Sequence, residues 1–270
     1  MSAGPLRDAL TLLLGVVTGV LSGLFGIGGG VVSQPGLRAL GAAPLVAVGT
    51  TLPSILPGAL SGTVRYQRAR LVDWRAVALT APIGVAAAVG CSFLAHAVPG
   101  DGHLLLVATA ALLGYNAAQM ALRRPEPPGG GAQPDRPVDA PPRGAPLGLS
   151  AVGLAAGALS GLLGIGGGVL MVPAFSQLIG FPLKRAIATS LVCVGIFALP
   201  STVSHALLGD VDWRFALWLT LGAVPGAWLG ARITIAAAER RIRLATAVLL
   251  GLVAIGYAAS ELPALLRDLG

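Results

Sequence analysis

Charged residues are scarce in this chain. Lys, Arg, Asp and Glu make up 11% of its 270 residues, against about 25% in an ordinary soluble domain. A soluble protein of this length needs more polar side chains to cover its surface, whereas here hydrophobic residues amount to 55%. The mean hydropathy of +0.82 also excludes a largely disordered chain. The composition indicates a polytopic membrane protein whose helices face lipid.

Groups that carry enzyme chemistry are equally few. Cys91 and Cys193 lie inside apolar runs without metal-ligand spacing, and the three histidines are scattered. No HExxH, GxSxG or P-loop motif is present, so we expect no enzyme, no cofactor and no metal site. The net charge of +7 comes from arginines at the ends of apolar runs. That pattern is typical of cytoplasmic loops, and we expect no nucleic-acid partner.

The chain contains two copies of one unit. Residues 15–35 (GVVTGVLSGLFGIGGGVVSQP) match residues 153–173 (GLAAGALSGLLGIGGGVLMVP) at an offset of 138 residues. After a one-residue shift, the V-D-W motif at 72–74 matches the same motif at 211–213. Self-similarity at a fixed offset indicates duplication of a structural unit.

A segment rich in proline and glycine separates the two copies. Half of residues 123–146 are Pro or Gly, and such a segment cannot bury a core, so we predict a disordered linker. The first transmembrane repeat is then residues 1–122 and the second is residues 147–270.

The apolar runs predict an all-α protein in which each repeat holds a broken or re-entrant helix pair and three spans. Most runs approach the roughly 20 residues needed to cross a bilayer. Two runs, 31–40 and 169–179, would reach only about 15 Å, and each follows a GIGGG segment. Backbone this irregular is tolerated at membrane depth only where it is buried in protein or lines a cavity. The runs are residues 6–24, 31–40, 44–64, 74–98 and 102–122, then 147–163, 169–179, 186–208, 213–235 and 242–262.

The distribution of arginine favours inverted repeats over parallel ones. The loop 65–75 carries four arginines, whereas its repeat equivalent, 205–214, carries one. Parallel repeats would place these two loops on the same side of the membrane despite their different charge. Inversion instead places the loop 65–75, the linker and the connector 232–243 together in the cytoplasm. Inverted repeats with broken helices are a recurrent transporter design, with the site near the membrane midplane.

The two GIGGG segments, residues 26–30 and 164–168, carry the strongest chemical signal. Glycine permits positive φ and close backbone approach. Each segment opens a short helix, whose unpaired N–H groups and partial positive charge attract anions. The alternative is that glycines merely let helices touch. We assign that role to two stripes with a spacing of four, which are Gly15, Gly19 and Gly23, and Gly153, Gly157 and Gly161.

Hydroxyl groups near the starts of two spans could also donate to an anion. They are Thr50, Thr51, Thr189 and Ser190, which occupy matching repeat positions. The alternative is that each bonds to a carbonyl of its own helix. No Asp, Glu, Lys or Arg falls centrally in any run, which argues against a cation pump and against a carboxylate proton relay. Cys193 is interpreted as a small core residue.

The repeated G-x-x-S-G-x-x-G-I-G-G-G-x-x-x-x-P, the later A-x-x-T-[ST] and the V-D-W motif resemble the TauE/SafE sulfite exporter family. The resemblance covers nearly the whole chain outside the linker. It implies an integral protein of the inner (cytoplasmic) membrane that transports sulfite, sulfonates such as sulfoacetate, or other small anions. The family motif carries over to Gly28, Gly29, Gly30, Pro35, Thr50 and Thr51, and to Gly166, Gly167, Gly168, Pro173, Thr189 and Ser190. Gln34, where the second copy has Val172, indicates an asymmetric lining of the site.

We therefore predict a secondary transporter of a small anion, sulfite or an organosulfonate, that works by alternating access in the lipid bilayer. One alternative is a non-transporting membrane scaffold or assembly factor, which would explain apolar spans but not paired half-length helices. An anion channel is the other. The sequence does not determine the oligomeric state, and it is compatible with a homo-oligomer. The predicted substrate-binding residues are Gly28, Gly29, Gly30, Gln34, Thr50, Thr51, Gly166, Gly167, Gly168, Thr189 and Ser190.

Overall fold

The protein is helical throughout its described part. A computed structural model describes residues 4–95, 111, 114–115, 117–118, 145–163 and 166–268. These residues form nine helices, and no described residue lies in a strand. The all-α prediction is confirmed for this part. The predicted run 102–122, apart from five isolated positions, and the linker as far as residue 144 lie outside the described residues.

The helix bounds follow the predicted runs closely. Prolines in the first turn begin α1 and α3, where their missing N–H groups cost nothing. The carboxylate of Asp212 caps α8 by accepting from the N–H groups of Arg214 and Phe215. The helices are α1 (Pro5–Phe25), α2 (Gly30–Ala39), α3 (Pro44–Arg68), α4 (Trp74–Ala95), α5 (Ala145–Leu163), α6 (Gly168–Gln177), α7 (Leu183–Leu207), α8 (Trp213–Ala236) and α9 (Glu239–Asp268).

Helix lengths separate spans from short helices. Five of the described helices, α1, α3, α4, α7 and α8, are long and apolar enough to cross a membrane. These helices fit a multi-pass membrane protein. By contrast, α2 and α6 have 10 residues each, which is about 15 Å of helix. Each begins at the last glycine of its GIGGG segment, one residue before the predicted start.

Two pairs of parallel helices join the sequence halves. The glycine stripe of α1 lies against α8, and the stripe of α5 lies against α4. Residue numbers rise together along both contacts, so the paired helices run in the same direction. A Cβ atom at any of the six glycines would overlap a backbone carbonyl oxygen of the neighbouring helix. The contacts are Gly15 with Leu219, Gly19 with Ala223, Gly23 with Ala227, Gly153 with Thr80, Gly157 with Gly84 and Gly161 with Ala88.

Helices α3 and α7 form the centre of the bundle and run antiparallel. Gly62 contacts Leu191, whereas Gly195 contacts Ala59, so residue numbers rise in one helix as they fall in the other. Most side chains along both helices are buried. The starts of α3 and α7 therefore lie at opposite ends of the bundle.

Replacing Gly157 by Ala should lower the melting temperature of the purified protein in detergent. The new Cβ would meet the backbone of α4 at Gly84, and overpacking of this kind costs about 1–3 kcal/mol. Gly90→Ala, in α4 itself, is the matched control because nothing lies within 4 Å of its new Cβ and Ala favours helix. Equal melting temperatures for the two variants would contradict the described packing.

Candidate functional site

Two breaks in the helical backbone are built from the GIGGG segments. In the first, Gly26 and Gly28 adopt positive φ angles of 65° and 73° between α1 and α2. In the second, Gly166 and Gly167 have φ angles of 82° and 68° just before α6. Residues other than glycine are strained at positive φ angles of this size, because their Cβ atom clashes with the backbone. Gly164 and Ile165 lie outside the described residues.

The two breaks contact each other directly. Gly168 lies so close to the carbonyl group of Gly26 and the Cα of Ile27 that a Cβ atom would overlap both. A Cβ atom built on Gly166 would lie 3.7 Å from the Cα of Gly28. These glycines are buried, and Gly29 is half-buried. The structure thus brings the glycine segments of the two sequence halves together.

The N-termini of α2 and α6 both lie at this contact. Among contacts between described residues, residues 27–31 donate no hydrogen bond to a backbone carbonyl outside the regular helices. The first N–H groups of a helix have no acceptor within the helix. The dipole adds roughly half a positive charge to each terminus. The contact therefore concentrates main-chain N–H donors and positive potential.

Hydroxyl groups fix the shape of the first break. Ser190 Oγ donates to the carbonyl oxygen of Gly26 at 2.8 Å and so ties α7 to the break. Ser33 Oγ donates to the carbonyl oxygen of Gly29 at 2.9 Å and lies 3.1 Å from Thr51 Oγ1. Thr51 in turn donates to the carbonyl of Ala47 in its own helix at 2.8 Å. These O–H groups are thus engaged within the protein.

Thr50 and Thr189 bond to the V-D-W loops instead of to the glycine breaks. The Oγ1 atom of Thr50 accepts from the N–H of Asp212 at 2.9 Å, and that of Thr189 accepts from the N–H of Asp73 at 3.1 Å. The carboxylate of Asp73 also forms an ion pair with Arg185 at 2.6 Å. In the sequence alone, the V-D-W motif marks the repeat and the family resemblance but predicts no contact with the threonines. Its duplication, together with the duplicated threonines, is the signal that could have identified the contact.

The remaining predicted site residue, Gln34, is buried in α2, four residues after Gly30. Val172, at the equivalent position in α6, is buried as well. Ser33 is a buried residue next to the break that the sequence pattern does not predict. Met171 occupies its repeat position, so no repeated signal marks Ser33.

The family model and the similar proteins that match this chain point to the same family of membrane transporters. Residues 11–257 match the family model described as Sulfite exporter TauE/SafE. The chain is 32% identical over 262 residues to the "Probable membrane transporter protein YunE" of Bacillus subtilis, which covers 89% of this chain and 92% of that protein. It is 25% identical over 263 residues to the "Probable membrane transporter protein MJ0441" of Methanocaldococcus jannaschii, with 91% and 93% covered. No solved structure matches the chain.

Proposed function

Because the chain belongs to the TauE/SafE sulfite exporter family, we propose that it is a secondary transporter of a small anion, sulfite or an organosulfonate. In this proposal it lies in the inner (cytoplasmic) membrane and works by alternating access between its two repeats. It acts as a carrier and catalyses no reaction. The family and the helices that can cross a membrane support transport, and the geometry at the glycine breaks supports an anionic substrate.

The observation that carries the proposal is the meeting of two helix N-termini at buried glycines. Each terminus contributes roughly half a positive charge, and burial lets the two dipoles act with less screening than they would have in water. Every Lys, Arg and Glu side chain among those whose burial the structure describes is at least partly exposed. A buried anion would therefore depend on the main chain rather than on a cationic side chain.

The available donors favour an oxyanion. The hydroxyl groups of Ser33, Thr51 and Ser190 donate to protein oxygens, so in this proposal the main-chain N–H groups at the breaks bind the substrate. Two sets of N–H groups that meet at one contact suit a compact group with several acceptor oxygens, such as sulfite or a sulfonate head. Because the glycines are buried, substrate entry requires the breaks to be uncovered from one side and then from the other.

We further propose that the two repeats are inverted. Helices α3 and α7 occupy equivalent positions in the two repeats and run antiparallel, which is the relation that inversion produces. The reciprocal pairing of α1 with α8 and of α5 with α4 supports the same arrangement. Inversion places the arginine-rich loop 65–75 and the linker in the cytoplasm and both chain termini outside.

Single cysteines at Ala132 and Gly270 should react from opposite sides of the membrane. The background replaces Cys91 and Cys193 by Ala, and a membrane-impermeant maleimide is added to intact cells and to inverted vesicles. We expect the linker position to react only in inverted vesicles and the C-terminal position only in intact cells. A permeant maleimide that labels both positions serves as the control. Reaction from the same side would contradict inversion.

Transport is tested first by ligand stabilisation and then by exchange. An anion at 100 times its Kd should stabilise the purified protein by about 2.7 kcal/mol, so sulfite, thiosulfate, sulfonates and carboxylates are compared with chloride at equal ionic strength. In proteoliposomes, labelled sulfite should enter with saturating kinetics and exchange against unlabelled sulfite. Flux that does not saturate would indicate a channel. A protein that no anion stabilises and that exchanges none would overturn the proposal.

A further inference from the structure

Two hydrogen bonds between threonine and a V-D-W loop join the sequence halves. We name the pair of Thr50 Oγ1 and the N–H of Asp212, at 2.9 Å, the Thr50 latch. The pair of Thr189 Oγ1 and the N–H of Asp73, at 3.1 Å, is the Thr189 latch. Both threonine side chains are completely buried. Each latch therefore closes the start of a central helix against a loop from the other half.

The two latches lie at opposite ends of the bundle. Thr50 is near the start of α3, and Thr189 is near the start of α7. Because α3 and α7 run antiparallel, a solvent path that passes one latch approaches the glycine breaks from the opposite direction to a path that passes the other.

Each latch is mechanically connected to a glycine break. The carboxylate of Asp212 caps α8, and that of Asp73 accepts from the N–H of Ala76 in the first turn of α4. Helices α8 and α4 are the tightly packed partners of α1 and α5, which lead into the two breaks. Each V-D-W loop is therefore linked through a packed helix pair to one of the glycine breaks.

We propose that the Thr50 latch and the Thr189 latch are the two gates of the transport cycle, with at most one open at a time and both closed in the described structure. The proposal rests on the alternating-access function proposed above. One hydrogen bond of this type shifts an equilibrium by about 2- to 10-fold, which is weak enough to break in every cycle. Arg185, on α7, reinforces the Thr189 latch through its ion pair with Asp73.

The sequence repeat supplies a matched pair of reporters for the gates. Cys193 lies four residues after Thr189 on α7, and Ser54 lies four residues after Thr50 on α3. Both side chains are buried. A thiol at either position should become reactive when its own latch opens and stay protected when the other latch opens.

The experiment measures thiol reaction rates with a membrane-impermeant methanethiosulfonate on the purified full-length protein in detergent. Cys91 is replaced by Ala throughout, and the second reporter carries Ser54→Cys with Cys193→Ser. Thr189→Val should raise the reaction rate at Cys193 about fivefold without raising it at Ser54→Cys. Thr50→Val should have the reverse effect. Thr50→Ser and Thr189→Ser keep the hydroxyl group, so the reporter thiols in these variants should react at the parental rates.

Two results would overturn the gate assignment. The first is an equal rise in the thiol reaction rate at both reporters with either valine variant, which indicates general loosening of the fold. The second is an unchanged reaction rate at both reporters. If the valine variants do not purify as folded protein, Arg185→Gln tests the Thr189 latch through its ion pair and should raise the rate only at Cys193. No substrate is used in this experiment. If the two reporters respond oppositely in a protein that exchanges none of the tested anions, transport is refuted but the two-latch motion stands.

Discussion

Replacing Gly29 by Leu is expected to weaken anion binding by about 10- to 100-fold while the protein stays folded. Hydrogen bonds to a charged group are worth about 1.5–3 kcal/mol each, and a leucine side chain beside the first N–H groups of α2 would displace the anion from them. The fold should tolerate the change because Gly29 has a φ of −68° and a Cβ there would lie 3.6 Å from Thr18. Calorimetry with sulfite on the purified variant measures the loss.

Gly29→Ala is the control for this result. Its single methyl group fits at ordinary van der Waals distance and leaves the N–H groups accessible, so we expect an affinity within about threefold of the parent, or less than 1 kcal/mol. If Gly29→Leu binds sulfite as the parent does, the glycine breaks have a purely structural role. The anion site would then have to be sought elsewhere in the bundle.

Gly167→Leu, at the equivalent position of the second repeat, should instead prevent the protein from folding. Gly167 has a φ of +68°, and a Cβ there would overlap the carbonyl oxygen of Ala156. The backbone conformation costs a leucine roughly 1–2 kcal/mol, and the overlap adds about 1–3 kcal/mol or more. Together these costs are a large fraction of the stability of an ordinary protein. Size-exclusion chromatography after extraction should show aggregate in place of a monodisperse peak.

Gly180→Leu separates the effect of backbone strain from the effect of steric overlap. Gly180 has a φ of +82°, but nothing lies within 4 Å of the position that a Cβ would occupy. This variant should remain folded with a modestly lowered melting temperature, because only the backbone strain applies. A folded Gly167→Leu variant would contradict the described contact between the second break and α5.

The short helices could be predicted because their sequence signal is local. A run of about ten apolar residues after GIGGG can reach only half the bilayer, and triple glycine disfavours a continuous helix. The structure starts these helices at Gly30 and Gly168. The repeat also predicts the same outcome for a substitution at Gly29 and at Gly167. That equivalence fails because the two residues have φ angles of opposite sign, a difference that identical GIGGG letters do not encode.

The separate roles of neighbouring hydroxyls could not be predicted. Adjacent helix residues point about 100° apart, so Thr189 and Ser190 meet different neighbours although the sequence presents them as one pair. Ser190 bonds to the first glycine break, whereas Thr189 bonds to the loop at Asp73. Partner choice across the bundle depends on the tertiary arrangement, which a single sequence without a pairing signal does not specify. For the same reason, the glycine stripes predict close helix packing but do not predict which helix packs against each stripe.

The pairing of α1 with α8 constrains the order of events during synthesis. Residue 213, where α8 begins, leaves the ribosome 188 residues after Phe25, where α1 ends. At about 5–20 residues per second, α1 waits roughly 10–40 s for its partner. During that time, α8 cannot cover the glycine face of α1. The insertion machinery must therefore set the direction of α1 from its own flanking residues, before the helix that holds it in the finished protein exists.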